Sequence, residues 1–129
     1  MAVEPIPTPH GPPVAGPYSA AVRAGDWVAV SGQIPIDPST GEVVGGGIGA
    51  QVDRAMANLA AVLDDCGLGV ADVAKTTIYL TDLREFAAVN DAYARALGDH
   101  RPARATVGVA GLPLGAKVEI EAWAYAPRS

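Results

Sequence analysis

Apolar residues change their spacing along this chain, and each change predicts an element. From about Ala50 to Cys66 they recur every three or four residues. Val52, Met56, Leu59, Leu63 and Cys66 then share one face of a helix, with Gly67 as its C-cap glycine. A second helix starts at Asp82, where Asp82 and Glu85 are spaced as an N-cap and its capping-box partner. Phe86, Val89, Tyr93 and Leu97 supply its apolar face, and Gly98 ends it. Elsewhere the spacing shortens to that of strands. "SAAVRAGDWVAVSGQIPI" reads as a β-hairpin around Ala24-Gly25-Asp26, and the β-branched run "VAKTTIYL" as one strand. Residues 104–110 and 117–126 form two more, joined by "GLPLGA". "DPSTGEVVGGGIG" is a loop with turn chemistry at Asp37-Pro38 and Thr40-Gly41. Residues 1–17, rich in proline, predict an extended lead-in without a packed element.

The order is therefore β-β-α-β-α-β-β, an α+β arrangement with two helices on one face of a mixed sheet. Its other face needs cover. Thr76, Ile78 and Val107 are assigned to that face, and packing of open faces in an oligomer is the simple solution. No internal repeat or linker divides the chain, so residues 1–129 predict one domain. A chain of 129 residues buries roughly two-thirds of its unfolded surface without staples. Hydrophobic residues make up 50% and aromatic ones only 5%, so the core is built from Ala, Val, Leu and Ile.

Charge narrows the function. A net charge of −5 with nine scattered Lys and Arg residues argues against nucleic acid and membrane surfaces as partners. No apolar run reaches the length of a membrane span, and the N-terminus has no signal-peptide pattern. Cytoplasm is the default location. The single cysteine, Cys66, permits no internal disulfide and reads as a small buried apolar residue. His10 and His100 stand in separate loops without clustered ligands, so no dedicated metal site is expected. The glycine run 45–49 ends in "GAQ" where a phosphate loop needs Gly-Lys-Ser/Thr, and a flexible loop is the better reading. Ser31 lacks the Gly-x-Ser-x-Gly setting of a nucleophile elbow.

One stretch holds chemistry. In "RPARATVGVAGLPLGAKVEIEAWA" an arginine, Arg104, opens an apolar run, and a later run carries Glu119 and Glu121. Alternation places Arg104, Thr106 and Gly108 on one side of their strand. On the last strand it places Glu119 and Glu121 with Trp123 and Tyr125. A solvated polar face is one reading. An anion clamp and a base facing one cleft is the other, and the aromatic neighbours of the acids favour it.

The stretches "GPYS" (16–19), "VSGQIPIDPSTGEV" (30–43), "VAKTTIYLTDLREFAAVNDAY" (73–93), "RPARATVGVAGLP" (101–113) and "KVEIEAW" (117–123) resemble the reactive-intermediate deaminase (Rid) family, also called YjgF/YER057c/UK114. The matches run in family order and cover nearly the whole chain after the lead-in. The resemblance implies a chorismate-mutase-like fold and a homotrimer, with sheets packed into a central barrel and clefts between neighbouring subunits. It implies hydrolysis of 2-imino and 2-enamino acids, such as 2-iminopropanoate, to 2-oxo acids and ammonia, with no cofactor.

Residue by residue, Arg104 matches the family arginine that grips the substrate carboxylate. Glu119 matches the glutamate that positions water, and Tyr18 the tyrosine over the cleft. Ser31 and Gly32 match the pocket segment, and Asn90 an asparagine from the adjacent subunit. Thr106 stands where many of the deaminases have Cys, and the segment 94–103 is shorter than theirs. Both departures bear on which small acid is taken. A diverged branch acting on another small acid, and a module that captures acids without turnover, are the alternatives. A ribonuclease reading, from an old family label, conflicts with the acidic charge.

Overall fold

The computed structural model describes residues 2–128. Met1 and Ser129, the outermost positions of the predicted lead-in and domain, lie outside the described residues. Eight elements follow one another: β1 (Val3–Pro5), β2 (Ala21–Ala24), β3 (Trp27–Gln33), α1 (Gly47–Asp65), β4 (Val73–Leu80), α2 (Phe86–Leu97), β5 (Ala103–Gly108) and β6 (Val118–Tyr125). The sheet order is β1-β2-β3-β6-β4-β5. All pairings are antiparallel except β4 with β5, which run parallel, so the sheet is mixed. Both helices cover one face, giving the α+β class expected.

The first strand corrects the reading of residues 1–17. Val3–Pro5 pair with the edge of β2, and Gly11 is buried against α1. The carboxylate of Asp65, at the end of α1, accepts the backbone N–H groups of both His10 and Gly11 at 2.9 Å. It also meets His10 Nδ1 at 2.6 Å. A Cβ on Gly11 would stand 2.7 Å from the Val62 side chain. The lead-in is therefore strapped to the helix.

Local chemistry explains the helix ends. Gly46 and Gly47 have φ of 96° and 86°, a conformation open to glycine, and they turn the loop into α1. At the far end, Gly67 N–H donates to Asp64 O at 2.9 Å and Leu68 N–H to Leu63 O at 2.8 Å. With Gly67 at φ 75°, this is the Schellman closure its position predicts. Asp82 accepts the backbone N–H of Arg84 at 3.0 Å, but it opens a 3₁₀ turn over Leu83–Glu85 rather than α2 itself. Helix α2 begins at Phe86, and Glu85 supplies no side-chain cap.

The core lies between the helices and one face of the sheet. Leu59 and Leu63 of α1 meet Ile78 and Leu80 of β4 and Ile120 of β6, all fully buried. Each such side chain contributes about 1.5–3 kcal/mol on leaving water. Thr76 and Ile78 thus point under the helices, not to the open face. Thr76 is held there by a 2.6 Å hydrogen bond with the Tyr93 hydroxyl, which makes a polar strand position compatible with the core. Val107 is exposed, as expected. Phe86 departs from the predicted apolar stripe of α2: it is 43% exposed and faces Arg104 instead of the core.

The uncovered face is aromatic as well as acidic. Trp27 and Tyr125 stand opposite each other across β3 and β6, with ring centroids 5.1 Å apart. Trp123 meets Trp27 edge-on at 6.4 Å. All three remain more than 40% exposed.

A candidate anion and water site in two halves

Strand parity decides where the candidate residues go. Thr76 of β4 lies opposite Arg104 of β5, and Tyr79 of β4 lies opposite Glu119 of β6. Positions 76 and 79 are an odd number apart, so the two flanking side chains project from opposite faces. Arg104 and Thr106 fall on the helix side, together with Asn90 of α2. Glu119 falls on the open face, in one cavity with Gly32 of β3 and Tyr18; Ser31, next to Gly32, does not line it. Within one chain, the expected clamp and base therefore do not share a cleft. They form two half-sites.

The first half-site is a cavity of about 310 Å³ lined by Asn90, Tyr93, Ala94, Arg101, Pro102 and Arg104. The Arg104 guanidinium sits 5.4 Å from the Phe86 ring centroid and 5.2 Å from that of Tyr93. Two aromatic faces hold it without consuming its donors. Among the described residues no carboxylate lies within 4.0 Å of it; the arginines so paired are Arg84, Arg95 and Arg128. Among the described residues, Asn90 Oδ1 and Thr106 Oγ1 find no hydrogen-bond partner although both are buried. Buried polar atoms are normally satisfied, and an orphan next to an unpaired guanidinium marks a place where a polar ligand fits. Burial pushes the Tyr93 phenol above its ordinary range, so it stays neutral, and its bond to Thr76 fixes the ring under Arg104.

The second half-site is a cavity of about 360 Å³. Glu119 forms its polar end, with Tyr18, Gly32 and Leu114 around it and the strap residues Pro12 and Pro13 as an apolar wall. Gly32 leaves room for that carboxylate: a Cβ at that position would lie 2.8 Å from the Glu119 carboxyl carbon, so a larger residue would displace the Glu119 side chain. The Ser31 hydroxyl donates to Ser19 O at 2.6 Å, which commits its proton and leaves its lone pairs free. Tyr18 is 52% exposed, with its hydroxyl accepting the Ala15 N–H at 3.4 Å.

The two acids on β6 differ. Glu121 accepts the Tyr79 hydroxyl at 2.6 Å, a bond that raises the Tyr79 phenol, with burial adding to it. Glu119 has no hydrogen-bond donor among the described residues. Burial first, and the charge of Glu121 second, hold its carboxyl above the usual range. Such a carboxylate is poised to take a proton from water.

Asn58 escaped sequence reasoning. It is fully buried on the apolar face of α1, where it donates to Ile34 O at 3.0 Å and Ile36 O at 2.9 Å, fixing the wall behind Glu119. A polar residue three positions after Ala55 on that face was the available signal. Nothing in the sequence paired Asp65 with the strap 54 residues upstream. Among the described residues no cluster of three or more His, Cys, Asp or Glu side chains could hold a metal, and no helix is long and apolar enough to cross a membrane. A larger surface hollow of about 650 Å³ lies beside β1, but its Arg128 is paired with Glu4 and its Arg23 donates to carbonyls.

Fold and half-sites together define a small α+β domain of the chorismate-mutase-like class, with an open sheet face and a polar site split across it. A family model described as endoribonuclease L-PSP matches residues 8–126. A RutC family protein of Pyrococcus abyssi is 46% identical, over 97% of this chain and 98% of its own. The 2-iminobutanoate/2-iminopropanoate deaminase of Escherichia coli is 42% identical, over 91% of this chain and 93% of its own. Among solved structures, Escherichia coli TdcF with bound serine aligns at a TM-score of 0.89 and 39% identity, over 98% of this chain and 99% of that one. The chain belongs to this L-PSP family, which is the YjgF/Rid family of the sequence resemblance.

Proposed function

We propose that this protein is a homotrimeric hydrolase of 2-imino and 2-enamino acids, acting at sites completed between neighbouring copies. One observation carries the reading. Among the described residues, a guanidinium without an acid and a carboxylate without a donor stand on opposite faces of one sheet. Two different faces that complement each other make a head-to-tail contact, and such contacts close into rings where the rotation between copies closes. The exposed Trp27, Trp123 and Tyr125 give the open face apolar area to bury in that ring. Relatives named 2-iminobutanoate/2-iminopropanoate deaminase, at 40–42% identity, support the chemistry.

In this reading Arg104 pairs bidentately with the substrate carboxylate, and Thr106 and Asn90 satisfy its remaining polar atoms. A protonated imine next to that carboxylate is already electrophilic at C2. Glu119 of the adjacent copy takes a proton from water as the oxygen bonds to C2, giving a carbinolamine. The proton returns to nitrogen, and the C–N bond breaks as the hydroxyl oxygen forms the C=O bond. The hydroxyl proton passes through Glu119 to the departing ammonia, and the products are a 2-oxo acid and ammonium. No cofactor is called on. Tyr18 shields the cleft, and Ser31 and Gly32 set the position of Glu119. A second reading, capture of a small acid without turnover, draws on the TdcF structure with serine bound. The unpartnered Glu119 favours turnover. The endoribonuclease label of the family model sits poorly with a net charge of −5.

Subunit mixing tests the assembly and the chemistry at once. Arg104→Ala and Glu119→Ala chains are each expected to retain roughly a few per cent or less of 2-iminopropanoate hydrolysis. Unfolded and refolded together in equal amounts, they should regain roughly a quarter of wild-type turnover, because some sites then combine two intact halves. A mixture as inactive as its components would defeat the split site, and a monomer by light scattering would defeat it independently.

A further inference from the structure

The Arg104 cavity contains a second arginine. Arg101 lines the same hollow, and its Nη1 donates to Gly98 O at 2.6 Å and to His100 O at 2.8 Å. Those two carbonyls occupy one nitrogen and hold the arm in place, so Nε and Nη2 remain available. The other arginines are spoken for. Arg84, Arg95 and Arg128 have carboxylates at 3.0, 3.6 and 3.0 Å, Arg54 donates to Asn58, and Arg23 donates to the carbonyls of Gly25 and Ala126. No acid lines the cavity. Acidic residues outnumber basic ones in this chain, 14 to nine, yet two guanidiniums without carboxylate partners among the described residues share one hollow of about 310 Å³. One monocarboxylate engages only one of the two guanidinium forks.

We propose that the site takes a dianionic substrate, a 2-imino dicarboxylic acid whose C1 carboxylate is held by Arg104 and whose distal carboxylate is held by Arg101. This rests on the deaminase reading and refines it. A ligand of this class brings two charges to two planar donor forks, and both pairs are bidentate in principle. The exposed position of Arg101 suits a distal group that reaches toward the cavity mouth, and it makes the second pair weaker than the first.

The test compares two 2-oxo acids of equal chain length, 2-oxoglutarate and 2-oxopentanoate, by calorimetric titration of the full-length protein. Wild type is expected to bind the diacid about tenfold more tightly. Arg101→Gln should bring the two affinities within about twofold of each other, and Arg101→Glu should invert the preference. Equal affinities in the wild type, or a preference that survives Arg101→Gln, overturn the proposal. Hydrolysis of 2-iminopropanoate, followed in parallel, separates the two levels. If it proceeds while the diacid has no advantage, the deaminase reading stands and the diacid proposal falls. If it fails and neither oxo acid binds, both fall.

Discussion

The two faces of the sheet at the middle of β4 differ in what each lacks. On the helix side, Arg104 is clamped between Phe86 and Tyr93, with orphaned polar atoms on Asn90 and Thr106. That half-site has donors and no acid. On the open side, Glu119 is half-buried against Gly32 and has no donor among the described residues. The difference teaches why the halves are kept apart. β5 and β6 lie on either side of β4, so Arg104 and Glu119 are separated across the sheet as well as between its faces, too far apart to pair and cancel within one chain. The odd spacing along β4 adds opposite faces to that distance, and each group keeps, among the described residues, a demand that another molecule can meet.

The comparison breaks most sharply at Arg104. If its demand is for a substrate carboxylate, Arg104→Ala leaves that carboxylate unpaired in a shielded cleft, at roughly 2–5 kcal/mol. Titration with pyruvate and the imine-hydrolysis assay should both register the loss. Arg104→Lys should also perform poorly, since an ammonium cannot reproduce the fork or the stacking on two rings. Undiminished binding and turnover in Arg104→Ala would make the arginine a structural residue. The helix-side half-site would then lose its meaning.

On the open face the sharper comparison is between Glu119 and Glu121, two positions apart on one side of β6. Glu119→Ala should lower kcat by about a hundredfold, within the range for a lost general base, with a modest effect on ligand affinity. Glu121 is already occupied by the Tyr79 hydroxyl, so Glu121→Ala should cost thermal stability more than turnover. Equal losses of turnover in both variants, with assembly intact, would show that the free carboxylate is not special.

Much of this was legible in the residues, for identifiable reasons. The helix stripe from Val52 to Leu63 and the strand "VAKTTIYL" carry their periods openly, and both elements fold where those periods place them. Arg104, Glu119, Gly32 and Asn90 came from motifs, and the structure distributes them over two cavities. What stayed hidden is non-local. The face of Thr76 depends on Tyr93 supplying a hydroxyl from 17 positions away, and β1 exists only because an edge of β2 is free to pair. Alternation within β5 and β6 gives the faces of each strand separately. Relating the two faces needs β4, which lies between them in the sheet.

The smallest effect probes how the open face sets the basicity of Glu119. Burial is the main reason its carboxyl is raised, and the charge of Glu121 adds to it. A water-activating base works in its ionised form, so turnover should fall as pH drops through this raised value. Glu121→Gln removes the added charge while its side-chain oxygen can still accept the Tyr79 hydroxyl. Like-charge repulsion being gone, the Glu119 carboxyl should ionise at lower pH, and the acidic limb of the pH–rate profile should move the same way. The move should be partial, because burial remains. A limb that stays in place would mean that another group titrates there. A limb that moves toward higher pH would mean that Glu121 had been stabilising the charged form of the base, contrary to two carboxylates on one strand face.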